Sequence, residues 1–144
     1  MDMNRADLAE KYFRKTIEMD PKHYRAYLDL AAAYSATGES GKALAHFEKS
    51  LEIRPDQHLA HYGLGMEYFK LGEFQKAESH LKRVLSLRPA FVPAWFNLGT
   101  LMMKRENYDE AVIYFSRVLD LQPGNLDAKR FLEEARRSKM RGTP

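Results

Sequence analysis

The side chains best suited to hold a metal ion or move a proton are the five histidines, His23, His46, His58, His61 and His80. His58 and His61 stand three residues apart, a spacing that sets two imidazoles on one side of a helix. A transition-metal site needs further ligands, yet the chain contains no cysteine and no carboxylate completes the set at ligand spacing. A structural role is therefore expected for the pair, with no metal site. No glycine-rich phosphate loop, nucleophile elbow or metalloprotease motif occurs either. The residues offer no catalytic centre and no cofactor site, and the chain is expected not to be an enzyme.

The segment Arg136-Arg137-Ser138-Lys139-Met140-Arg141 could touch phosphates or an anionic surface. Cations gathered at a helix C-terminus are also favoured by the helix dipole, which accounts for the cluster more simply. No aromatic residues interleave the charges, and the net charge of the 144-residue chain is only +3, so nucleic acid is not the expected partner. Met1-Asp2-Met3-Asn4-Arg5 has no apolar core like that of a signal peptide. No apolar run approaches the roughly 18 to 20 residues of a membrane span. Cytoplasm is the default expectation, although a cysteine-free chain suits any redox compartment.

The elements that carry these residues follow a period. Pro21, Pro55, Pro89 and Pro123 are separated by 34 residues each time. In that register Ala9, Ala43, Ala77 and Ala111 align, as do Phe13, Phe47, Leu81 and Phe115. Leu30, Leu64 and Leu98 align in the other half of the period, each followed by a small residue, Ala31, Gly65 or Gly99. Tyr27, His61 and Trp95 precede that leucine by three. Apolar positions recur at three- and four-residue steps, which predicts amphipathic helices over Tyr24–Thr37 and Lys42–Ile53 and their counterparts. Gly38 and Gly72 can end the first helix in the left-handed conformation, and the prolines end the second. In the third unit Glu106 stands at the glycine position, and its neighbour Asn107 is expected to take the left-handed turn. Each unit is thus a helix hairpin that must stack on its neighbours to bury an apolar face.

The pattern resembles the tetratricopeptide repeat, clearest in Trp95-Phe96-Asn97-Leu98-Gly99, Tyr108, Ala111, Phe115 and Pro123. The resemblance covers nearly the whole chain and implies an all-α fold, a right-handed superhelical α-solenoid of antiparallel helix hairpins. It is read as one domain over residues 1–144. Residues 4–23 supply the second helix of a partial repeat; 24–57, 58–91 and 92–125 are full repeats. Residues 126–139 form a capping helix and 140–144 a frayed tail. The unpaired helix Asn4–Met19 suggests a piece excised from a longer array or an end that a partner covers, the alternative being a native start with a solvated cap.

The resemblance also implies that the first helices line a concave groove where a peptide or protein binds. By repeat position, the first unit would show Arg25, Leu28, Asp29, Ala32 and Ser35 there. The second would add Leu59, Tyr62, Gly63, Met66, Phe69 and Lys70. The third would add Pro93, Phe96, Asn97, Thr100, Met103 and Lys104, and the cap Asp127, Arg130, Phe131 and Glu134. Tyr62, Met66, Phe69 and Phe96 would carry the contact, with Arg25, Lys70 and Lys104 setting orientation. Apolar strips of this kind mark interaction sites, and methionines suit an adaptable helix-binding surface. The carboxylate clamp of chaperone-binding relatives is not expected, because its positions hold Leu28, Ala32, Gly63, Pro93 and Asn97. The expected function is a protein–protein interaction scaffold for an amphipathic helix or an apolar extended peptide. The alternatives are self-assembly through the first helix, with Leu8, Tyr12, Phe13 and Ile17, or a non-catalytic arm of a larger enzyme.

Overall fold

The computed structural model describes residues 3–142, with side chains described from Arg5. Eight helices follow one another: α1 (Met3–Met19), α2 (Tyr24–Ala36), α3 (Ser40–Ile53), α4 (His58–Lys70), α5 (Phe74–Leu87), α6 (Val92–Lys104), α7 (Tyr108–Leu121) and α8 (Leu126–Gly142). No strand is present among the described residues. Packing divides the chain into two compact units, one up to His80 and one from Leu81, with the division inside α5.

The helix ends have local causes. His23 Nδ1 accepts the Ala26 amide and caps α2. Gly38 (φ 81°) and Gly72 (φ 75°) take the left-handed conformation in the turns after α2 and α4. At the corresponding place after α6 it is Glu106 that does so, with φ 57°. The expectation that Asn107 would make this turn is therefore corrected. Asn107 has φ −88° and instead caps α7, its side chain accepting the Glu110 amide. The Asn107 amide bonds Met102 O at 2.9 Å, just as Glu39 bonds Tyr34 O and Glu73 bonds Tyr68 O. The register of these three turns thus overrides the steric preference of residue 106. A second correction concerns the tail. Helix α8 continues through Met140, Arg141 and Gly142, beyond the expected stop at Lys139, while residues 143 and 144 lie outside the described residues. An ion pair from Lys139 to Asp109 of α7 and Arg141 in the last turn support this extension.

In the first unit, Leu30, Ala31, Tyr34, Ala43, Phe47, Ala60 and Leu64 form the core, with Phe13, Ile17, Leu28, Leu44, Leu51 and Tyr68 packed against it. A β-carbon on Gly63 would lie 2.3 Å from the Phe47 ring, so the missing side chain is what lets α3 press on α4. Ser50 is buried in place of an apolar residue and is fully engaged: its hydroxyl donates to Tyr24 O, and Gln57 Nε2 donates to Ser50 O. In the second unit Phe115 is wholly buried between Phe96 (5.5 Å, edge to face) and Phe131 (5.4 Å, stacked). Leu98, Leu101, Met102, Val118, Ala128 and Leu132 complete that core.

Candidate functional site

The groove positions expected from the sequence fall on two pairs of first helices. Helices α2 and α4 pack side by side in the first unit, and α6 and α8 do so in the second. On α2, Arg25 and Asp29 are exposed, as is Ala32, while Leu28 is half-buried against the core. On α4, Tyr62, Met66 and Phe69 are half-buried, and Phe69 meets Phe74 edge to face at 5.7 Å. On α6, Phe96, Asn97, Thr100 and Met103 are half-buried and Lys104 is exposed. The Thr100 hydroxyl donates back to Phe96 O at 3.1 Å, so it is spent on its own helix. Phe131 of α8 is half-buried and meets Phe96 at 5.6 Å. The partly open aromatic and methionine side chains thus lie on α4 in the first unit and on α6 and α8 in the second. Those on α6 and α8 also hold the core shut.

The structure gives Lys70 a more specific task than orienting a ligand. Its ammonium donates to Glu67 Oε1 at 2.6 Å and lies 3.1 Å from the Ser35 hydroxyl, which itself donates to Glu67 Oε1. Glu67 is wholly buried. Burial pushes its carboxyl up, but hydrogen bonds from Lys70, Ser35 and Ser40 outweigh this and hold it below the usual carboxylate value. Oε2 makes no hydrogen bond of normal geometry, although the nearby Ser40 hydroxyl still favours the charged form. The group spans α2, α3 and α4 and escaped the sequence reading, because Glu67 occupies no aligned apolar column. Its signal was a carboxylate three residues before a lysine on a helix otherwise rich in apolar residues.

The histidines make no cluster of metal ligands. Among the described residues no three histidine, aspartate or glutamate side chains gather around a common point. His61 pairs instead with His80, Nδ1 to Nδ1 at 3.1 Å, and its Nε2 donates to Pro55 O at 3.0 Å. With Nε2 carrying the proton, a neutral His61 accepts at Nδ1 from His80. Burial, and secondarily His61, push the His80 imidazole below its ordinary value. His80 also stacks on Tyr68 at 5.7 Å. The same contact recurs by repeat position as His46 on Tyr27 and Tyr34, and as Tyr114 on Trp95. This is an inter-helix ring pair rather than a catalytic one.

One surface differs from its expected composition. Phe13 and Ile17 of α1 are packed against the first unit's core, so they are not on the helix's open side. Leu8, Tyr12 and Met19 are, at 60%, 68% and 79% exposure. The reason is rotational: Phe13 and Ile17 face α2, whereas Leu8, Tyr12 and Met19 follow a separate stripe at four- and seven-residue steps.

Helix hairpins repeating every 34 residues, with small residues where the helices touch, define a tetratricopeptide-type repeat protein. The family model described as the cilia and flagella-associated protein 70 middle TPR-like domain matches residues 27–135. A tetratricopeptide repeat model matches residues 1–23. The chain belongs to the family of cilia and flagella-associated protein 70 middle TPR-like domains. No relative is found among the curated proteins. Among solved structures, the crystal structure of MamA superposes with a TM-score of 0.88 at 24% identity, over 94% of this chain and 74% of that one. YrrB, described as a TPR protein with an unusual peptide-binding site, gives 0.83 at 25% identity, over 96% of this chain and 72% of its own. The first TPR of Spaghetti (RPAP3), solved with the HSP90 peptide SRMEEVD, gives 0.78 at 21% identity, over 84% and 96%. No helix among the described residues is long and apolar enough to cross a membrane.

Proposed function

We propose that this chain is a protein-interaction scaffold that captures an amphipathic helix or an apolar extended peptide against its first-helix faces. The carrying observation is the set of half-buried Tyr62, Met66 and Phe69 side chains on α4, beside the exposed Arg25 and Asp29 of α2. Half-buried aromatics and methionine offer apolar area at little further ordering cost, which is the make-up of a peptide anchor. The second unit presents a similar face through Phe96, Met103 and Phe131, with Asn97, Thr100 and Lys104 alongside. That YrrB and the RPAP3 domain are described with a peptide-binding site or a bound peptide supports the mode of action. Capture of a C-terminal carboxylate is disfavoured here, because Leu28, Ala32, Gly63 and Pro93 would meet it with apolar surface or bare backbone.

The test is a selection of peptides from a random display library on the full chain, repeated on Tyr62→Ala/Met66→Ala. Both substitutions avoid the Phe96–Phe115–Phe131 stack, so the fold is retained and circular dichroism verifies it. Peptides rich in apolar residues that lose at least about tenfold in affinity on the variant support the reading, a loss of about 1.4 kcal/mol. Peptides that bind both proteins equally would move the site elsewhere. Self-assembly is the competing reading, and sedimentation of the chain alone separates the two.

A further inference from the structure

The α2–α4 face of the first unit sorts its apolar area and its charge onto different helices. Leu59, Tyr62, Met66 and Phe69 form an apolar stripe on α4, Leu59 being 49% exposed and the other three half-buried. At about 1.5 Å of rise per residue the stripe runs about 15 Å along the helix, the footprint of another helix laid lengthwise. One repeat earlier, on α2, the counterparts of Leu59 and Gly63 are Arg25 and Asp29, both exposed. The charged edge thus lies on α2, beside the apolar stripe of its neighbour.

Three groove positions of this unit are charged, and they differ in what already holds them. The Lys70 ammonium is engaged by the buried Glu67 carboxylate at 2.6 Å and lies 3.1 Å from the Ser35 hydroxyl, so its charge is offset within the chain. Arg25 and Asp29 stand four apart on one helix, yet neither side chain is paired among the described residues. Glu10 and Arg14 do pair at the same spacing on α1, with the acid first. Arg25–Asp29 has the reverse order, the weaker one for pairing within a helix. At the register of Asp29, α4 carries Gly63, where a β-carbon would lie 2.3 Å from the Phe47 ring. No α4 side chain therefore stands against the carboxylate at that level. Ser35, in the last turn of α2, bonds Glu67, in the last turn of α4, so the two helices run in the same direction. Their dipoles reinforce each other and favour a third helix laid antiparallel to both.

We propose that the ligand of the α2–α4 face is an amphipathic helix, antiparallel to α4, with a basic residue followed four positions later by an acidic one along its α2-facing edge. Its apolar side covers Leu59, Tyr62, Met66 and Phe69; its basic residue meets Asp29 and its acidic residue meets Arg25. An antiparallel helix passes Asp29 before Arg25, which sets the order. Arg25 and Asp29 lie about 6 Å apart along α2, the separation of residues i and i+4 on the ligand. An extended segment, advancing about 3.3 Å per residue, would meet the same two charges with residues two apart. The Lys70 end, already neutralised by Glu67, asks for no charge on the ligand. This rests on the peptide-capture reading above and adds to it the ligand's conformation, direction and charge order.

The probe is a random peptide display library, selected in parallel on the full chain and on Arg25→Glu/Asp29→Lys. Both substitutions lie at exposed positions, and circular dichroism verifies the fold. The native chain should enrich a Lys or Arg followed four positions later by an Asp or Glu, and the double variant the reverse order. Each selected peptide, synthesised and titrated, should bind the other protein about tenfold or more weakly at low salt, because both attractions become repulsions. The gap should narrow at high salt, since exposed charges are screened. Peptides that lose affinity on Tyr62→Ala/Met66→Ala yet carry no charge order, the reverse order, a spacing of two, or the same order on both proteins overturn this inference and leave peptide capture standing. Peptides indifferent to Tyr62→Ala/Met66→Ala, or no enrichment at all, remove the face as a binding site and this inference with it.

Discussion

Replacing Lys70 with methionine tests the reading of the Glu67 network through its dependence on pH. Methionine keeps most of the apolar stem and removes the ammonium that donates to Glu67 Oε1 at 2.6 Å. A hydrogen bond between charged groups contributes about 1.5–3 kcal/mol. Lys70 is 48% exposed and Glu67 wholly buried, so solvent screening on the lysine side lowers this to about 1–2 kcal/mol. The same loss appears as a rise of the Glu67 carboxyl, because the ammonium no longer favours its charged form. In the native chain the Glu67 carboxyl is held below 4.5. Its stabilisation is therefore complete above the unfolded value and disappears as pH falls through the folded one. In Lys70→Met, burial faces only the two serine hydroxyls and the carboxyl rises. The variant's deficit should therefore be about 1–2 kcal/mol at pH 7 and shrink at acid pH, as pH falls through the folded-state value of the native Glu67 carboxyl and both proteins come to carry it protonated. Urea unfolding followed by circular dichroism at the two pH values measures it. A deficit equal at both would refute the ion-pair account, as would an undiminished effect of Lys70→Met in a Glu67→Gln background.

Three further outcomes follow from single contacts. Glu106→Gly should stabilise the chain by about 1 kcal/mol in thermal or urea melts, because it relieves a left-handed residue that carries a β-carbon. Gly99→Ala should destabilise by about 1–2 kcal/mol despite alanine's higher helix propensity, since the Phe115 ring it strikes is pinned by Phe96 and Phe131; the same change at Gly41, where nothing lies within 4 Å, should stabilise slightly. The His80 imidazole is depressed below 6.5, so its contribution is complete above that value and is lost as pH falls through the folded one. A histidine titration by NMR should show His80 as a low-titrating imidazole, and His61→Gln should raise it by removing the secondary, electrostatic influence of the second imidazole.

What was legible in the sequence follows from how repetition works. A period of 34 residues reports any contact made in every unit, because selection on the same hairpin geometry leaves an aligned column. The alanines at 43, 77 and 111 and the apolar residues at 47, 81 and 115 are such columns, and all are buried. Contacts made once leave no column. Glu67 with Ser35 and Lys70 is one, and so is the left-handed Glu106, where the turn's register prevailed over the more tolerant neighbour Asn107. The His61–His80 pair lies between: its residues differ in type from Tyr27–His46 and Trp95–Tyr114, but the 19-residue spacing is the same. The ring-bearing positions form the column, and the pair follows from that spacing.

The same logic bears on the rotation of α1. Its apolar residues follow two stripes, Phe13–Ile17 and Leu8–Tyr12–Met19, and hydropathy alone does not say which meets α2. The register does. Phe13 aligns with Phe47 and Phe115, and their partners lie in the following first helix as well as their own: Gly63 beneath Phe47, Phe131 beneath Phe115. Tyr12 aligns with His46, His80 and Tyr114, whose ring partners all belong to the preceding first helix. The stripe through Tyr12 therefore lies on the side that, in the complete hairpins, meets the hairpin's own first helix. The α2–α4 face has no such internal template, because no complete hairpin covers that side in any unit described. Its occupant must be found by selection.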